Sequence, residues 1–295
     1  MYCVETATEI KLDNILYLTD FSKPAEAALP FVTAIAREYG SKIYALHILL
    51  SDFYARMTPE FGDVVTAGLE QAARGKMKKI DARLSGLPHQ TIVEWGADIW
   101  TNLDRMVEKN EIDLLVLGTH GRSGIEKFVL GSVAEQIWRR SNLPVLTIGP
   151  GVNRAWSGER FKSVLFATDF TAQSLAGLPY AVSMAREHRA HLVCLHVIRK
   201  IRQAGFLGEL SAAEAIYHLD QLIPPDAGLA ARPELVVKYG VPAKSIIETA
   251  GRCDADLIVL GVRDGDRLGI TTHVDGGTAH EVVVNASCPV LTVRG

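Results

Sequence analysis

Along the chain, short apolar runs alternate with stretches in which apolar residues recur at helical spacing. The runs ILYL (15–18), IYALHILL (43–50), TIVEW (91–95), LLVL (114–117) and PVLTI (144–148) are rich in Val, Ile and Leu. Being apolar on both faces, they predict strands of a parallel sheet covered by helices. Between the first two, Ala28, Leu29, Phe31, Val32, Ile35 and Ala36 form one stripe and predict an amphipathic helix. Ser22 suits its cap, Pro24 its first turn and Gly40 its end. TAGLEQAARGKMKKIDARL (66–84) predicts a further helix, and SDFYARMTPEFGD (51–63) reads as an ordered loop before it.

The same pattern is then written again. NILYLTDFS (14–22) matches SVLFATDFT (163–171), SKIYALHIL (41–49) matches AHLVCLHVI (190–198), and IVEWGADIW (92–100) matches LVVKYGVPA (235–243). DLLVLG (113–118) matches DLIVLG (256–261), and LPVLTI (143–148) matches CPVLTV (288–293). Thr171 caps the second copy of the first helix, whose stripe is Leu175, Leu178, Ala181, Val182 and Ala185. A duplicated domain of roughly 145 residues follows. The join lies near GPGVNRAWSGER (149–160), giving domains 1–152 and 153–295. Strand–helix alternation of this kind predicts an α/β fold. Each domain is expected to be a doubly wound, five-stranded parallel sheet of order 3-2-1-4-5 with helices on both faces. The last strands, PVLTIGP and PVLTVRG, would be exposed apolar edges unless paired. Pairing between the halves about a pseudo-two-fold axis removes that liability, and association of two chains is compatible with it.

Composition adds limits. The chain has 295 residues and a net charge of −3 without a basic block, which disfavours a nucleic-acid partner. No apolar run approaches the roughly 20 residues needed to span a bilayer. MYCVETATEIKLDN (1–14) has neither a basic head nor an apolar core, so no signal peptide is expected. Cys3, Cys194, Cys253 and Cys288 are scattered, without a C-x-x-C pair, which reads as reduced thiols in a cytoplasmic protein with no metal site built from its side chains.

Ligands of open parallel sheets bind beyond the carboxyl ends of the strands, where strand order reverses. In the first half the ends of strands one and four meet there: LTDFS with Asp20, and GTHGRSGIEKFVLGS (118–132). Gly118 and Gly121 permit close backbone approach, and Gly131-Ser132-Val133 opens a helix whose free N–H groups attract an anion. Asp20, an acceptor when ionised, suits an amino group or ribose hydroxyls. Spacing alone leaves two readings open, a phosphate cradle and an ordinary strand-to-helix loop. Neither a G-x-x-x-x-G-K-[ST] loop nor G-x-G-x-x-G after strand one is present.

These residues resemble those of tandem universal stress proteins over nearly the whole chain: the LTDFS and ATDFT strand ends, the LHI and LHV second strands, the G-A-D and G-V-P turns, and the closing PVLTI and PVLTV. The spacing G-x2-G-x9-G-[ST] at Gly118, Gly121, Gly131 and Ser132 resembles the ATP-binding branch of that family. The resemblance implies ATP, with or without Mg²⁺, in the first domain. Thr19, Asp20 and the strand-two end near His47 and Ile48 would hold adenosine. Gly118, Thr119, His120 and Gly121, with Gly131, Ser132 and Val133, would hold phosphates. It further implies a stress-response role.

The second half departs from this pattern. In GVRDGDRLGITTHVDGGTAHE (261–281), Asp264 stands where the second glycine should be, Asp266 follows, and the segment to Gly276 is two residues longer than its counterpart. Carboxylates there would repel phosphate. The second half is therefore expected to bind nucleotide weakly or not at all and to act as a structural or regulatory partner. His47 and His196 read as hydrogen-bonded strand histidines, RGKMKKIDAR (74–83) as a wet helix face, and FLGEL (206–210), Trp100 and Trp138 as packing. His120, Arg122 and Lys127 stay open between phosphate contact and surface roles. No catalytic constellation is visible. An interaction module without nucleotide, or a slow ATPase, are the alternatives.

Overall fold

The computed structural model describes residues 10–51, 62–119, 131–152, 156, 159–199, 210–262 and 277–295. It divides into two compact units, Lys11–Ser141 and Asn142–Gly295.

The first unit runs β1 (Asn14–Leu18), α1 (Lys23–Tyr39), β2 (Lys42–Leu50), α2 (Gly62–Arg83), β3 (His89–Gly96), α3 (Ile99–Lys109), β4 (Leu114–Gly118) and α4 (Ser132–Arg140). Its described strands pair in parallel in the order β3-β2-β1-β4. The α1 signals hold: the Ser22 side chain accepts from the Ala25 N–H, and Gly40 closes the helix at φ 69° with its N–H on the Ala36 carbonyl. All six residues of the stripe are buried. Strand interiors such as Ile15, Leu16, Ile43, Leu114 and Val116 are sealed from solvent, as burial on both faces requires.

The second unit holds β5 (Val145–Ile148), β6 (Ser163–Thr168), α5 (Ala172–Leu175), α6 (Leu178–His188), β7 (His191–Ile198), α7 (Ala212–Leu222), β8 (Glu234–Tyr239), α8 (Pro242–Arg252), β9 (Leu257–Val262), α9 (Thr278–Asn285) and β10 (Val290–Arg294). The order β10-β9-β6-β7-β8 is parallel and matches the expected 3-2-1-4-5 path. β5 joins the edge of this sheet antiparallel to β10, with Leu146 opposite Leu291. The described strands of the compact units thus number four and six, although β5 falls within residues 1–152 of the repeat division. The compact units part at Ser141/Asn142, ahead of the 152/153 join read from the repeat, because β5 bonds to β10. Thr147 Oγ1 donates to the Val290 carbonyl at 3.1 Å and Thr292 Oγ1 to the Val145 carbonyl at 3.3 Å. Among the described residues no helix is long and apolar enough to cross a membrane.

The aspartate that opens each DL-[LI]-VLG run does the same work twice. Asp113 Oδ2 accepts from the Asn14 N–H at 2.9 Å, and Asp256 Oδ2 accepts from the Lys162 N–H at 2.7 Å. Each carboxylate thus satisfies a backbone donor where strand one of its repeat begins. Burial raises the Asp113 pKa, an effect its backbone hydrogen bonds oppose. Cys194 and Cys288 are buried and outside any disulfide, and burial pushes the Cys194 thiol up to about 12.

Candidate functional site

At the carboxyl edge of the first sheet, β1 and β2 are in register through Leu18 and Leu46. The next residue, Thr19, donates its N–H to the Leu46 carbonyl at 3.0 Å. Thr19, Asp20 and the β2 end with His47 and Ile48 are thereby brought together.

The TDFS turn is held largely by its own side chains. Thr19 Oγ1 accepts from the Phe21 N–H at 3.0 Å, and Asp20 Oδ1 accepts from the Ser22 N–H at 2.9 Å. One Asp20 oxygen therefore closes an Asx-type turn. Phe21 sits at φ 63°, a region a bulky side chain enters at a cost of roughly 1–2 kcal/mol. Its ring lies 4.3 Å from that of His47, with the Lys76 ammonium 5.3 Å from the Phe21 centroid. His47 Nδ1 is 2.7 Å from the Thr19 carbonyl. A carbonyl only accepts, so Nδ1 carries the proton and in the neutral ring Nε2 is left as an acceptor.

The second repeat copies this turn. Thr168 Oγ1 accepts from Phe170 N–H, Asp169 Oδ1 from Thr171 N–H, and His196 Nδ1 faces the Thr168 carbonyl at 2.9 Å. Phe170 has φ 64° and stacks on His196 at 4.5 Å. The two histidines are hydrogen-bonded strand residues, as read from sequence. The phenylalanines were missed. Their signal was recurrence at the same place in LTDFS and ATDFT.

Gly118 has a packing role that the sequence reading did not assign. A Cβ there would stand 2.7 Å from the Ala25 nitrogen and the Pro24 carbonyl carbon, so the first turn of α1 occupies that space. Gly261 is pressed in the same way by the Gln173 and Ser174 carbonyls. Glycine at this strand end thus admits the helix, whichever ligand follows.

Thr119, next in line, is fully buried, and its carbonyl accepts from the Gly131 N–H at 2.7 Å. That bond closes the neck of the glycine segment. It brings Gly118 and Thr119 to the start of α4, where Gly131 is the cap without a side-chain hydrogen bond. The Ser132 and Val133 N–H groups belong to the first turn, whose donors lack intrahelical acceptors. The Val133 side chain is exposed. His120, Gly121, Arg122 and Lys127 lie outside the described residues, as do Asp264 and Asp266 of the second repeat.

The duplicated topology and these strand ends agree with the comparison to known sequences. The profile of the Universal stress protein family matches residues 11–149 and again 160–294. The chain belongs to the universal stress protein family. A universal stress protein of Methanocaldococcus jannaschii is 27% identical over 162 residues, covering 46% of this chain and 93% of that protein. One from Mycobacterium tuberculosis is 26% identical over 205 residues, 66% of each chain. Among solved structures, a universal stress protein from Archaeoglobus fulgidus superposes with a TM-score of 0.68 at 20% identity, covering 96% of this chain and 98% of that one. That likeness speaks for the fold of this universal stress protein.

Proposed function

We propose that this universal stress protein is a cytoplasmic regulator that holds ATP in its first repeat. The repeats are taken as 1–152 and 153–295. The observation that supports the reading is the Gly131 N–H to Thr119 carbonyl bond, which joins the two ends of the glycine signature just past β4, the parallel neighbour of β1. The donor set fits a triphosphate: uncapped N–H groups at the start of α4 offer partial positive charge to an anion. The second oxygen of Asp20 is of the right type to accept from ribose hydroxyls or an amino group. The Cβ direction of Gly118 is filled by α1, and the phosphate contacts of this reading are Gly118 to Gly121 with Gly131 to Val133. The second repeat acts as structural or regulatory partner within an intramolecular pseudo-dimer.

The test is to denature freshly purified protein and identify released small molecules by mass spectrometry, beside a Gly131→Glu variant. ATP or ADP at about one per chain in the parent, and none in the variant, supports the cradle. Two per chain removes the claim that the second repeat is silent toward nucleotide. No release, with no uptake of added ATP, favours the interaction module. Timed conversion of added ATP to ADP separates a slow ATPase from a binder.

A further inference from the structure

The second repeat lacks the glycine spacing, yet the described residues at its carboxyl edge leave a space. A cavity of about 380 Å³ opens there between the ends of β6, β7 and β9 and the first turns of α8 and α9. That volume is near the small end of the range of about 300–1,000 Å³ usual for ligand sites. Its lining is close to evenly polar and apolar, the apolar side chains including Leu195, Val197 and Leu260 on the sheet and Ile246 on α8. Thr168 and Ser174 share a hydrogen bond of 2.8 Å, and Asp169 Oδ1 is engaged by the Thr171 N–H and hydroxyl.

Arg199 is the exception. It lines the cavity just beyond β7 and forms no ion pair among the described residues. Counting from the matched histidines, it stands where the first repeat has Leu50. Opposite, Gly277 caps α9 without a side-chain hydrogen bond, and Thr278 and Ala279 of the first turn line the same cavity. Arg199 and the first turn of α9 thus line one cavity. Asp169 on the wall disfavours a second negative charge.

We propose that this cavity is a second binding site, distinct from that of the first repeat, for a compact aromatic or heteroaromatic monoanion. The flat apolar body lies between the strand ends and Ile246. Its carboxylate or sulfonate is met by Arg199 and the start of α9, the planar guanidinium being suited to paired contacts with such groups. The receptor for charge has moved from a backbone loop to a side chain, so the two repeats select different ligands.

The experiment uses the full chain carrying Gly131→Glu, so that its outcome is independent of nucleotide in the first repeat. Anilinonaphthalene sulfonate is titrated by fluorescence beside its neutral relative phenylnaphthylamine. Expected is one site per chain for the anion, with the neutral dye weaker by about tenfold or more. Arg199→Glu, at an exposed position, lowers affinity for the anion by at least about tenfold and leaves the neutral dye unchanged. Ala279→Phe fills the cavity and removes both dyes, with circular dichroism confirming that the variant is folded. No uptake, equal affinity for the two dyes, or uptake indifferent to both substitutions overturns the proposal. Displacement of the dye by equimolar ATP overturns the restriction to monoanions.

Discussion

The two repeats contain the same Leu-Pro pair and solve it in opposite ways. In the first, α1 runs unbroken from Lys23 to Tyr39 with Pro30 inside it. Proline there has no N–H for the Glu26 carbonyl and strains the preceding turn. In the second, the helix stops after Leu175 and restarts at Leu178, so Pro179 falls in a first turn, where no N–H is required. The restart brings Gly177 against β9, with its Cβ direction 3.1 Å from the Gly261 nitrogen. The anchors differ too. Tyr17 donates its buried hydroxyl to the Ala25 carbonyl at 2.6 Å. The second repeat has Phe166 at that place and uses Ser174 on Thr168 instead. A duplicated backbone therefore tolerates different local chemistry, provided each helix start still reaches strand four.

The largest test of that proviso is at the strand-four glycines. Gly261→Ala and Gly118→Ala should each cost about 3 kcal/mol or more, because the new methyl meets backbone that cannot swing aside. Urea unfolding should show lowered midpoints for both. A midpoint unchanged for either would mean that its helix start is free to move.

Next comes a difference confined to the second repeat. His188 is 2% exposed, its Nδ1 accepts from the Phe161 N–H at 3.3 Å, and its Nε2 has no partner. Burial, helped by the nearby Arg160 charge, holds its pKa down from 6.5 to about 4. Between those values the unfolded chain binds more protons than the folded one. Stability should therefore fall as pH drops through that window, by up to about 3 kcal/mol, and this contribution should level off below it. The helix ends align Gly40 with Arg189, so the first repeat has Tyr39 at this position. His188→Phe should flatten the acid limb of stability measured against pH.

Smaller effects sharpen the contrast further. Tyr17→Phe makes the first repeat resemble the second and should cost about 1 kcal/mol in chemical denaturation, the worth of one buried hydrogen bond. Burial pushes the Tyr17 phenol up to about 12, so ultraviolet titration should find it ionising well above an ordinary tyrosine. Arg189 ends α6 at φ 55°, where the first repeat uses Gly40. Arg189→Gly should stabilise by about 0.5–1 kcal/mol in a melting experiment, since glycine takes up that conformation without strain.

Much of the architecture was legible because strand cores, caps and the repeat are local patterns. Ser22, Thr171 and Gly40 do what their types predict. The break at Ala176–Gly177 was hidden, because the stripe from Leu175 to Leu178 continues through it. The candidate site was legible in position more than in role. Asp20 was read as an acceptor for ligand, whereas one of its oxygens serves the Ser22 N–H two residues on. Gly118 was read as permitting close backbone approach, and its Cβ direction faces the first turn of α1, far away in sequence but adjacent in space. Hydrogen bonds and close approaches of this kind depend on the folded path, which residue spacing does not encode.

The register of β5 on β10 places Leu146 opposite Leu291, residues that stand at the same point of their repeats. Such a ribbon is its own complement: either strand meets in the other what a copy of itself would offer. In a chain of one repeat, closing that ribbon would require a second molecule and would be lost on dilution. Here both strands belong to one chain, at an effective concentration of order millimolar set by the covalent tether. The edge of the second sheet is consequently sealed at any protein concentration, however scarce the protein becomes.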